Sequence, residues 1–220
     1  MARLSHYLIP VRLRIIARLT RNHNKPLRIL DIGCGNSSPT ITKKWLGEVE
    51  YHGLDIQEYE NTPEDQKAID KFILVSSEDT EYSAVENEFY DVIIMNHVIE
   101  HMNLPYLRLE NLLTKLKSGG IVWLAFPSVK SAGLPTADGT LNFFDDETHI
   151  YFPSIYDVVN TLLLSGVKVK YAGSSYDLLR YVIGLVLLPW AAIKKLITGK
   201  LCKGLWFVFG FETIVYGIKK

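Results

Sequence analysis

A glycine-rich turn follows an apolar run near the start of the chain. Residues 28–35 read R-I-L-D-I-G-C-G, with Asp31 two positions before Gly33. Because Gly33 and Gly35 carry no Cβ, the backbone of such a turn can approach a ligand closely. The pattern predicts a strand, a turn and a helix that together bind a ligand with an adenosine-like group.

A second carboxylate stands where the ribose of such a ligand would need it. Asp55 ends the next apolar run, and a carboxylate at that position can accept hydrogen bonds from both ribose hydroxyls. Nicotinamide-binding domains share this position, but their fingerprint has a third glycine, which lets helix and strand pack around a pyrophosphate. The residues after Gly35 are Asn, Ser and Ser. The sequence therefore favours a cofactor without a pyrophosphate and disfavours a nicotinamide-dependent oxidoreductase.

A histidine with acidic neighbours stands in the second half of the chain. The segment D-D-E-T-H-I-Y-F contains Asp145, Asp146, Glu147 and His149. Histidine titrates near neutral pH, so His149 could take a proton from a hydroxyl group while Asp146 or Asp145 orients its ring. The alternative is a histidine that only caps the next helix or bonds to the backbone. The clustering of these acids with His149 leaves metal binding open, but their spacing matches no specific metal motif, so no metal ligand is assigned.

Apolar runs that alternate with helical patterns must position these residues. Such alternation is typical of strand and helix units around a parallel sheet. Helices are predicted at Leu104 to Lys117 and at Pro153 to Ser165. We expect one α/β domain over residues 1–220, with a Rossmann-like, doubly wound, mostly parallel sheet of seven strands and a helical apolar insertion before the last strand. The predicted strands are Arg28–Ile32, Val49–Leu54, Lys71–Val75, Tyr90–Met95, Gly120–Ala125, Val167–Ala172 and Glu212–Ile218.

Five short motifs stand in the order found in a known enzyme family. They are L-D-I-G-C-G at 30–35, G-L-D at 53–55, F-Y-D-V-I at 89–93, N-H-V-I-E-H at 96–101 and L-K-S-G-G at 116–120. With them, residues 27 to 169 resemble the class I S-adenosylmethionine-dependent methyltransferases, in the small-molecule branch that includes quinone and glycan O-methyltransferases. The resemblance implies S-adenosylmethionine as the cofactor. One departure is Ser37, which stands where the family commonly has a third glycine.

The resemblance also implies which residues bind the cofactor. Asp31 would orient the glycine turn, and Asn96 and His97 would lie near the sulfonium. The acid that contacts adenine would be Asp79 or, as the second choice, Glu78. Glu100 and His101 match the E-H pair of that branch, either fixing the loop or acting directly. The full implied cofactor-binding set is Asp31, Gly33, Cys34, Gly35, Asp55, Ile56, Glu78, Asp79, Asn96 and His97.

The first 24 residues are expected to form an amphipathic helix. Leu8, Val11, Ile15 and Leu19 share one face, and several arginines share another. These arginines interrupt any apolar core that a secretion signal would need, so no such signal is expected. The helix would pack beside the sheet or lie at a membrane surface.

Residues 178–211 form the apolar insertion. The run from Tyr181 to Ile193 is almost wholly apolar and shorter than the roughly 20 residues that a spanning helix needs. Lys194, Lys195, Lys200 and Lys203 follow it. We expect the insertion to pack on the domain or on a second copy of the chain, to touch a membrane surface, or to cover the substrate.

Composition limits the partners and the compartment. The 220 residues include 24 Lys and Arg and 24 Asp and Glu, so no global field attracts nucleic acid, and no nucleic-acid partner is predicted. The only cysteines, Cys34 and Cys202, form no C-x-x-C motif. A disulfide framework or zinc site is therefore not expected, and we predict a cytoplasmic location, at the inner face of the membrane if the insertion touches lipid.

These observations lead to one predicted function and one alternative. We predict O-methylation of a small or lipid-linked acceptor, such as a glycan hydroxyl or a quinone-like phenol, while N- and C-methylation stay open. The alternative is a non-catalytic subunit that keeps the methyltransferase fold for binding or regulation. Asp31, Gly33, Gly35 and Asp55 are all intact, which disfavours a silent domain.

Overall fold

A seven-stranded sheet organises the protein. The computed structural model describes residues 9–24, 26–35, 37–58, 61–202 and 204–220. The strand order is β3-β2-β1-β4-β5-β7-β6, and β7 alone runs antiparallel to the other six strands. The strands are β1 (Leu27–Ile32), β2 (Val49–Asp55), β3 (Lys71–Leu74), β4 (Tyr90–Asn96), β5 (Leu116–Pro127), β6 (Val167–Ser174) and β7 (Glu212–Lys219).

Helices connect the strands and cover both faces of the sheet. Three short 3-10 segments lie in the loops, at Ile99–His101, Val129–Gly133 and Phe143–Asp145. The α-helices are α1 (Val11–Leu19), α2 (Ser38–Leu46), α3 (Pro63–Ala68), α4 (Pro105–Thr114), α5 (Ile155–Leu164), α6 (Leu178–Thr198) and α7 (Trp206–Phe209).

The two faces of the sheet bury separate cores because successive strand residues point to opposite sides. Leu30 and Leu124 pack on one face with Leu112 of α4 and Leu162 of α5. On the other face, Ile29 and Trp123 of the same strands lie in a core that also contains Leu13 and Ile16 of α1. The prediction of a Rossmann-like, doubly wound, mostly parallel α/β sheet is therefore confirmed.

Two predicted helices differ from the structure at their ends. The helix predicted to reach Lys117 ends at Thr114, because Leu116 already belongs to β5 and is buried there as a strand residue. Helix α1 covers Val11–Leu19, while residues 1–8 of the predicted N-terminal helix lie outside the described residues. Its fully buried residues are Leu13 and Ile16, and the expected apolar face only flanks them.

The apolar insertion contains the longest helix of the described chain. Helix α6 has 21 residues, and its most apolar 18-residue stretch has a mean hydropathy of 1.6, so by length and composition it is long enough to cross a bilayer. The expectation that this segment is too short to do so was wrong, because apolar residues on both sides of Tyr181 to Ile193 extend the helix. The N-terminus of α6 is capped by Asp177, whose side chain accepts a hydrogen bond from the Arg180 backbone N–H at 3.0 Å.

A small third core attaches α6 to the rest of the protein. Ala191 of α6 is buried with Leu141, Leu201, Leu205 and Phe211. Gly184 lets α6 approach α7 closely, because a Cβ at that position would lie 2.4 Å from Cγ2 of Val208. The rest of α6 is mostly exposed, and Val186, Trp190, Leu196 and Ile197 are among its solvent-facing apolar side chains.

Gly184→Ala should destabilise the protein. The clash with Val208 costs about 1 to 3 kcal/mol, as overpacking usually does, and exceeds the gain of about 1 kcal/mol in helix propensity. Urea unfolding followed by circular dichroism measures the difference. Val208→Ala in the same chain should restore stability, and Gly133→Ala, where a Cβ meets nothing within 4 Å, serves as the control. Unchanged stability of Gly184→Ala would show that α6 and α7 can separate freely.

Candidate functional site

A cavity of about 550 Å³ opens where the carboxyl ends of β1, β2 and β4 meet. β1 lies between β2 and β4, which is the point where strand order reverses and where open α/β sheets bind ligands. Predicted site residues that line the cavity are Gly33, Asp55, Ile56, His97 and Asp146. A hollow of about 620 Å³ at the amino ends of the strands is lined mainly by polar and charged residues such as Asn22, Asp91 and Lys117, and contains none of the predicted site residues.

The glycine turn after β1 has a backbone conformation that glycine adopts more easily than other residues. Gly33 and Gly35 have φ of 64° and 47°, in the left-handed region that favours glycine. A Cβ on Gly33 would lie 2.3 Å from Cγ2 of Val98, so this glycine also lets the turn pack against the loop after β4. Ser37, at the position of the family's third glycine, has φ of 69° and donates its N–H to Asp65 at 3.1 Å.

Asp31 is linked by hydrogen bonds to the first residue of the helix after this turn and to the neighbouring strand β2. Its Oδ2 accepts hydrogen bonds from the Ser38 hydroxyl at 2.5 Å and from the Tyr51 hydroxyl at 2.6 Å. Burial raises the pKa of Asp31, while the nearby Arg12 guanidinium acts in the opposite direction. The carboxylate therefore joins β1, β2 and the start of α2, while its role of orienting the turn toward the cofactor stays a prediction.

Asp55 presents an unpaired oxygen at the edge of the 550 Å³ cavity at the carboxyl ends of the strands. Its Oδ1 accepts the Ile56 backbone N–H at 2.8 Å, whereas its buried Oδ2 makes no hydrogen bond within the described part of the chain. Burial raises the pKa of Asp55, and nearby backbone N–H groups lower it in part. A buried carboxylate oxygen without a partner is costly, so this atom fits the ribose hydroxyls of an adenosyl cofactor.

The acids predicted to contact adenine lie outside the lining of this cavity. Ser76, Ser77 and Tyr82 line it at that position. The Asp79 carboxylate accepts the backbone N–H groups of Glu81 at 3.0 Å and of Tyr82 at 2.9 Å, so it fixes its own loop. The adenine contact by Asp79 or Glu78 stays a prediction.

Cys34 points away from the cavity. Its thiol is buried, and a Cβ on Gly53 of β2 would lie 2.7 Å from its Sγ. Burial, with the carboxylates of Asp31 and Asp55 nearby, raises the pKa of this thiol to about 12. Cys34 therefore packs as a neutral apolar group between β1 and β2, and only its backbone could face a ligand.

His97 separates the 550 Å³ cavity at the carboxyl ends of the strands from a second, smaller cavity beside it. Its Nδ1 lies 3.2 Å from Glu100 Oε1 and its Nε2 lies 2.9 Å from Glu212 Oε1. Burial alone would lower the pKa of His97, but the hydrogen bonds to both glutamates outweigh it and raise the pKa to about 9. The ring is thus a cation between two carboxylates, and it lines both cavities.

The second cavity has a volume of about 260 Å³ and lies between α1, β5, α6 and α7. Asn96 lines it, with its Oδ1 accepting a hydrogen bond from Trp123 Nε1 at 2.9 Å. Sequence reasoning missed this cavity, because its walls come from distant segments that carry no shared motif. Its other lining residues include Arg12, Arg180, Trp206, Phe207 and Glu212.

His149 packs behind the residues that line the 550 Å³ cavity at the carboxyl ends of the strands. Its Nδ1 lies 2.6 Å from the Phe143 carbonyl oxygen and its Nε2 lies 3.8 Å from Asp146 Oδ2. Its ring centroid is 4.8 Å from that of His101, which does line the cavity. The Asp145 carboxylate instead accepts backbone N–H groups of residues 137, 141 and 142, so it holds the loop and leaves Asp146 as the acid beside the ring.

The loop after β4 and the loop before α5 are tied together at this point. The Glu100 carbonyl oxygen accepts the backbone N–H groups of Ile150 and Tyr151, both at 3.0 Å. Glu100 is fully buried. The structure therefore brings Glu100 and His101 to His149, a grouping that sequence separation hid.

Comparison with known proteins places the chain among methyltransferase folds. A family model described as a methyltransferase domain matches residues 4–167. No curated protein matches the chain. Among solved structures, a SAM-dependent methyltransferase from Archaeoglobus fulgidus is 20% identical, with a TM-score of 0.56 and 94% of each chain covered.

Two further structures show the same fold. A putative S-adenosylmethionine-dependent methyltransferase from Listeria monocytogenes is 14% identical, with a TM-score of 0.60, and the match covers 92% of this chain and 96% of that one. The phosphoethanolamine N-methyltransferase 2 of Haemonchus contortus, in complex with phosphomonomethylethanolamine and S-adenosylhomocysteine, is also 14% identical, with a TM-score of 0.58. That match covers 93% of this chain and 52% of the other.

Asp55→Asn should weaken binding of S-adenosylhomocysteine. The change keeps the side-chain volume but removes the charge that would face the ribose, at a cost of about 1.5 to 3 kcal/mol, or roughly 10- to 150-fold in Kd. Isothermal titration calorimetry measures it, with Asp157→Asn, an exposed carboxylate on α5, as the control. Equal affinity in all three proteins would remove Asp55 from the ribose site.

Proposed function

The chain belongs to the methyltransferase-domain family, and on that premise we propose that it methylates an oxygen atom of a small or lipid-linked acceptor. The family and its solved relatives make it an S-adenosylmethionine-dependent methyltransferase. The observation that carries the finer proposal is the second cavity, which adjoins the cofactor cavity at His97 and is walled by the apolar insertion.

The described residues fit the cofactor. The glycine turn leaves room at Gly33, and the unpaired Asp55 Oδ2 faces the place of the ribose. When bound, S-adenosylmethionine supplies a methyl carbon on a sulfonium that is open to in-line attack. The protein's part is then to align an acceptor and to remove its proton.

The second cavity suits an acceptor that combines an aromatic or apolar body with a polar group. Trp206, Phe207 and Trp123 supply flat apolar surface, while Arg12 and Arg180 supply guanidinium groups. Aromatic walls with a few charged groups are typical of small-molecule sites. A quinone-like phenol or the hydroxyl of a lipid-linked glycan has this combination.

The acceptor hydroxyl must lose a proton when it is methylated. We assign this proton to His149 by way of His101, whose ring lines the cofactor cavity and lies 4.8 Å from that of His149, while Asp146 stands beside the Nε2 of His149. With the cofactor bound, the acceptor oxygen would form a bond to the methyl carbon as the carbon–sulfur bond breaks, and the electron pair of that bond would stay on sulfur. The products would be the methyl ether, S-adenosylhomocysteine and a proton.

The exposed face of α6 supports contact with a membrane surface. Trp190 and Leu196 are 61% and 87% exposed, and Lys195 and Lys200 near the end of the helix are exposed as well. Apolar side chains beside lysines favour the interface of an anionic membrane. Lys194 is paired with Asp138, and Lys203 lies outside the described residues.

This placement would connect the membrane to the acceptor cavity. Arg180 of α6 and Trp206 of α7 line that cavity, so a helix at the lipid surface would bring a lipid-linked acceptor to its mouth. We therefore propose a cytoplasmic protein that works at the inner face of the membrane. A dimer formed through the same face is the competing outcome.

His149→Gln should lower methyl transfer to a hydroxyl acceptor by about 100-fold or more, because it removes the proposed base. Affinity for S-adenosylhomocysteine should change little, since His149 does not line the cavity among the described residues. Transfer of labelled methyl from S-adenosylmethionine to phenolic and glycan-lipid acceptors measures it. His23→Ala, which removes a half-buried histidine near the amino ends of the strands, is the control.

Two results would overturn this proposal. Normal turnover of His149→Gln would leave His149 a structural residue. Label found on nitrogen or carbon, and never on oxygen, would reject the O-methyltransferase assignment.

Leu196→Glu with Ile197→Glu should release the protein from vesicles that contain anionic lipids, because both side chains would have to bury a charge in the interface. Vesicle flotation measures the bound fraction. Leu164→Glu on α5 is the matched control, since that leucine is 84% exposed but lies on a different helix. A wild-type protein that never floats, or a change only in the mass from light scattering, would reject membrane contact, and the latter would indicate a dimer.

A further inference from the structure

Three potential metal ligands from two loops converge beside the cofactor cavity. Glu100 and His101 lie in the 3-10 segment after β4, and His149 lies in the loop before α5. One donor atom of each side chain lies within 4.8 Å of the others. His101 also lines the cavity, together with Asp146 and Thr148, so the cluster stands at its wall.

Hydrogen bonds fix the same tautomer in both histidines. The Nδ1 of His101 lies 3.0 Å from the Thr148 carbonyl oxygen, and the Nδ1 of His149 lies 2.6 Å from that of Phe143. A carbonyl oxygen only accepts, so each Nδ1 must carry the hydrogen and each neutral ring keeps its lone pair on Nε2. Histidines that bind metals are usually held in this way, with the second ring nitrogen donating to a carbonyl or carboxylate.

Glu100 supplies an anionic oxygen that lacks a partner. The side chain is fully buried, and its Oε1 accepts a hydrogen bond from His97 Nδ1 at 3.2 Å. Its Oε2 is buried and has no hydrogen-bond partner among the residues that the structure describes. An unpaired carboxylate oxygen in the protein interior is costly, and a cation between it and the two Nε2 atoms would remove that cost.

We propose that Glu100, His101 and His149 bind one divalent transition-metal ion, of which Zn²⁺ is the probe of choice. Two imidazoles and one carboxylate are the ligands of catalytic zinc and non-haem iron sites, whereas Mg²⁺ and Ca²⁺ take oxygen ligands. Three atoms no more than 4.8 Å apart surround a point at most about 2.8 Å from each, so shifts of under about 1 Å reach the 2.0 to 2.2 Å of zinc ligation.

The coordination positions that these three residues leave open would face the cofactor cavity. Asp146 Oδ2, at 3.8 Å from His149 Nε2, is available as a further ligand or as a partner of bound water. A hydroxyl acceptor on the ion would have a lowered pKa and would release its proton to solvent. This use of the ion rests on the proposed O-methyl transfer, while binding of the ion does not. With metal bound, His149 is a ligand, because its Nε2 lone pair cannot also serve as a free base.

Metal binding is tested directly on the untagged full chain. Chelator-treated protein is titrated with Zn²⁺ against a competing indicator, and Co²⁺ is added separately to record the visible absorption of a protein-bound ion. We expect one equivalent of bound metal in the wild type. His149→Gln and His101→Gln should each weaken binding by about 10-fold or more, since each removes a ligand.

His23→Ala is the matched control, since it removes a histidine that lies outside the cluster. Glu100→Gln is a third test variant, and circular dichroism establishes that each protein is folded. Less than one equivalent in the wild type would overturn the metal site. So would an equal loss in His23→Ala, or unchanged affinity in both cluster histidine variants.

Parallel measurements separate this inference from the proposed function. Affinity for S-adenosylhomocysteine is measured with and without chelator, and so is transfer of labelled methyl to oxygen. Stoichiometric metal without O-methyl transfer would support the site and reject the proposed function. O-methyl transfer that is fully retained in chelator, by a protein that binds no Zn²⁺, would support the function and reject the site.

Discussion

The half-buried cation at His97 holds the two cavities of the site in a fixed relation. Glu100 is fully buried and Glu212 is partly buried, with its side chain 19% exposed, and a buried carboxylate is tolerated only when it is paired. His97 pairs with both, and its backbone N–H also bonds to the Ala125 carbonyl at 2.8 Å. The loop after β4 is thereby held against the start of β7. Because α6 and α7 lead into β7, the walls of the second cavity are held at a fixed position beside the cofactor cavity.

Much of the fold was readable because its signals are local. All seven strands occur where the apolar runs predicted them. The central strands β1 and β4 are buried on both faces and are therefore almost continuously apolar, whereas the edge strand β6 is largely exposed and contains lysines. Helix ends were less predictable. The length of α6 was underestimated because Lys194 and Lys195 interrupt the apolar run, yet lysine is a good helix former and does not end a helix. Pro189 did not end it either.

The candidate site follows the same rule: its local features could be predicted from the sequence, and its contacts between distant segments could not. The glycine turn and Asp55 were found from sequence because each lies directly at the end of a strand, and the topology brings those ends together. The contacts of His97 with Glu212 and of His101 with His149 join segments far apart in the chain, and no periodic pattern reports such pairs. The Asp79 carboxylate bonds to the backbone of its own loop, as loop aspartates often do, and its contact with adenine stays a prediction.

The connection from β6 to β7 has a consequence for how the walls of the second cavity can change. Ser174 and Thr213 are register partners in neighbouring antiparallel strands, and Ser175 donates its N–H to the Glu212 carbonyl at 2.9 Å. The insertion therefore leaves and re-enters the sheet at almost the same point, like a long hairpin loop. Closing a longer or shorter loop at such a point costs little, since each doubling of length adds only about 0.6 kcal/mol. Segments of different length and chemistry can therefore be exchanged between these two strand ends without a change in the shape of the cofactor cavity on the other side of His97.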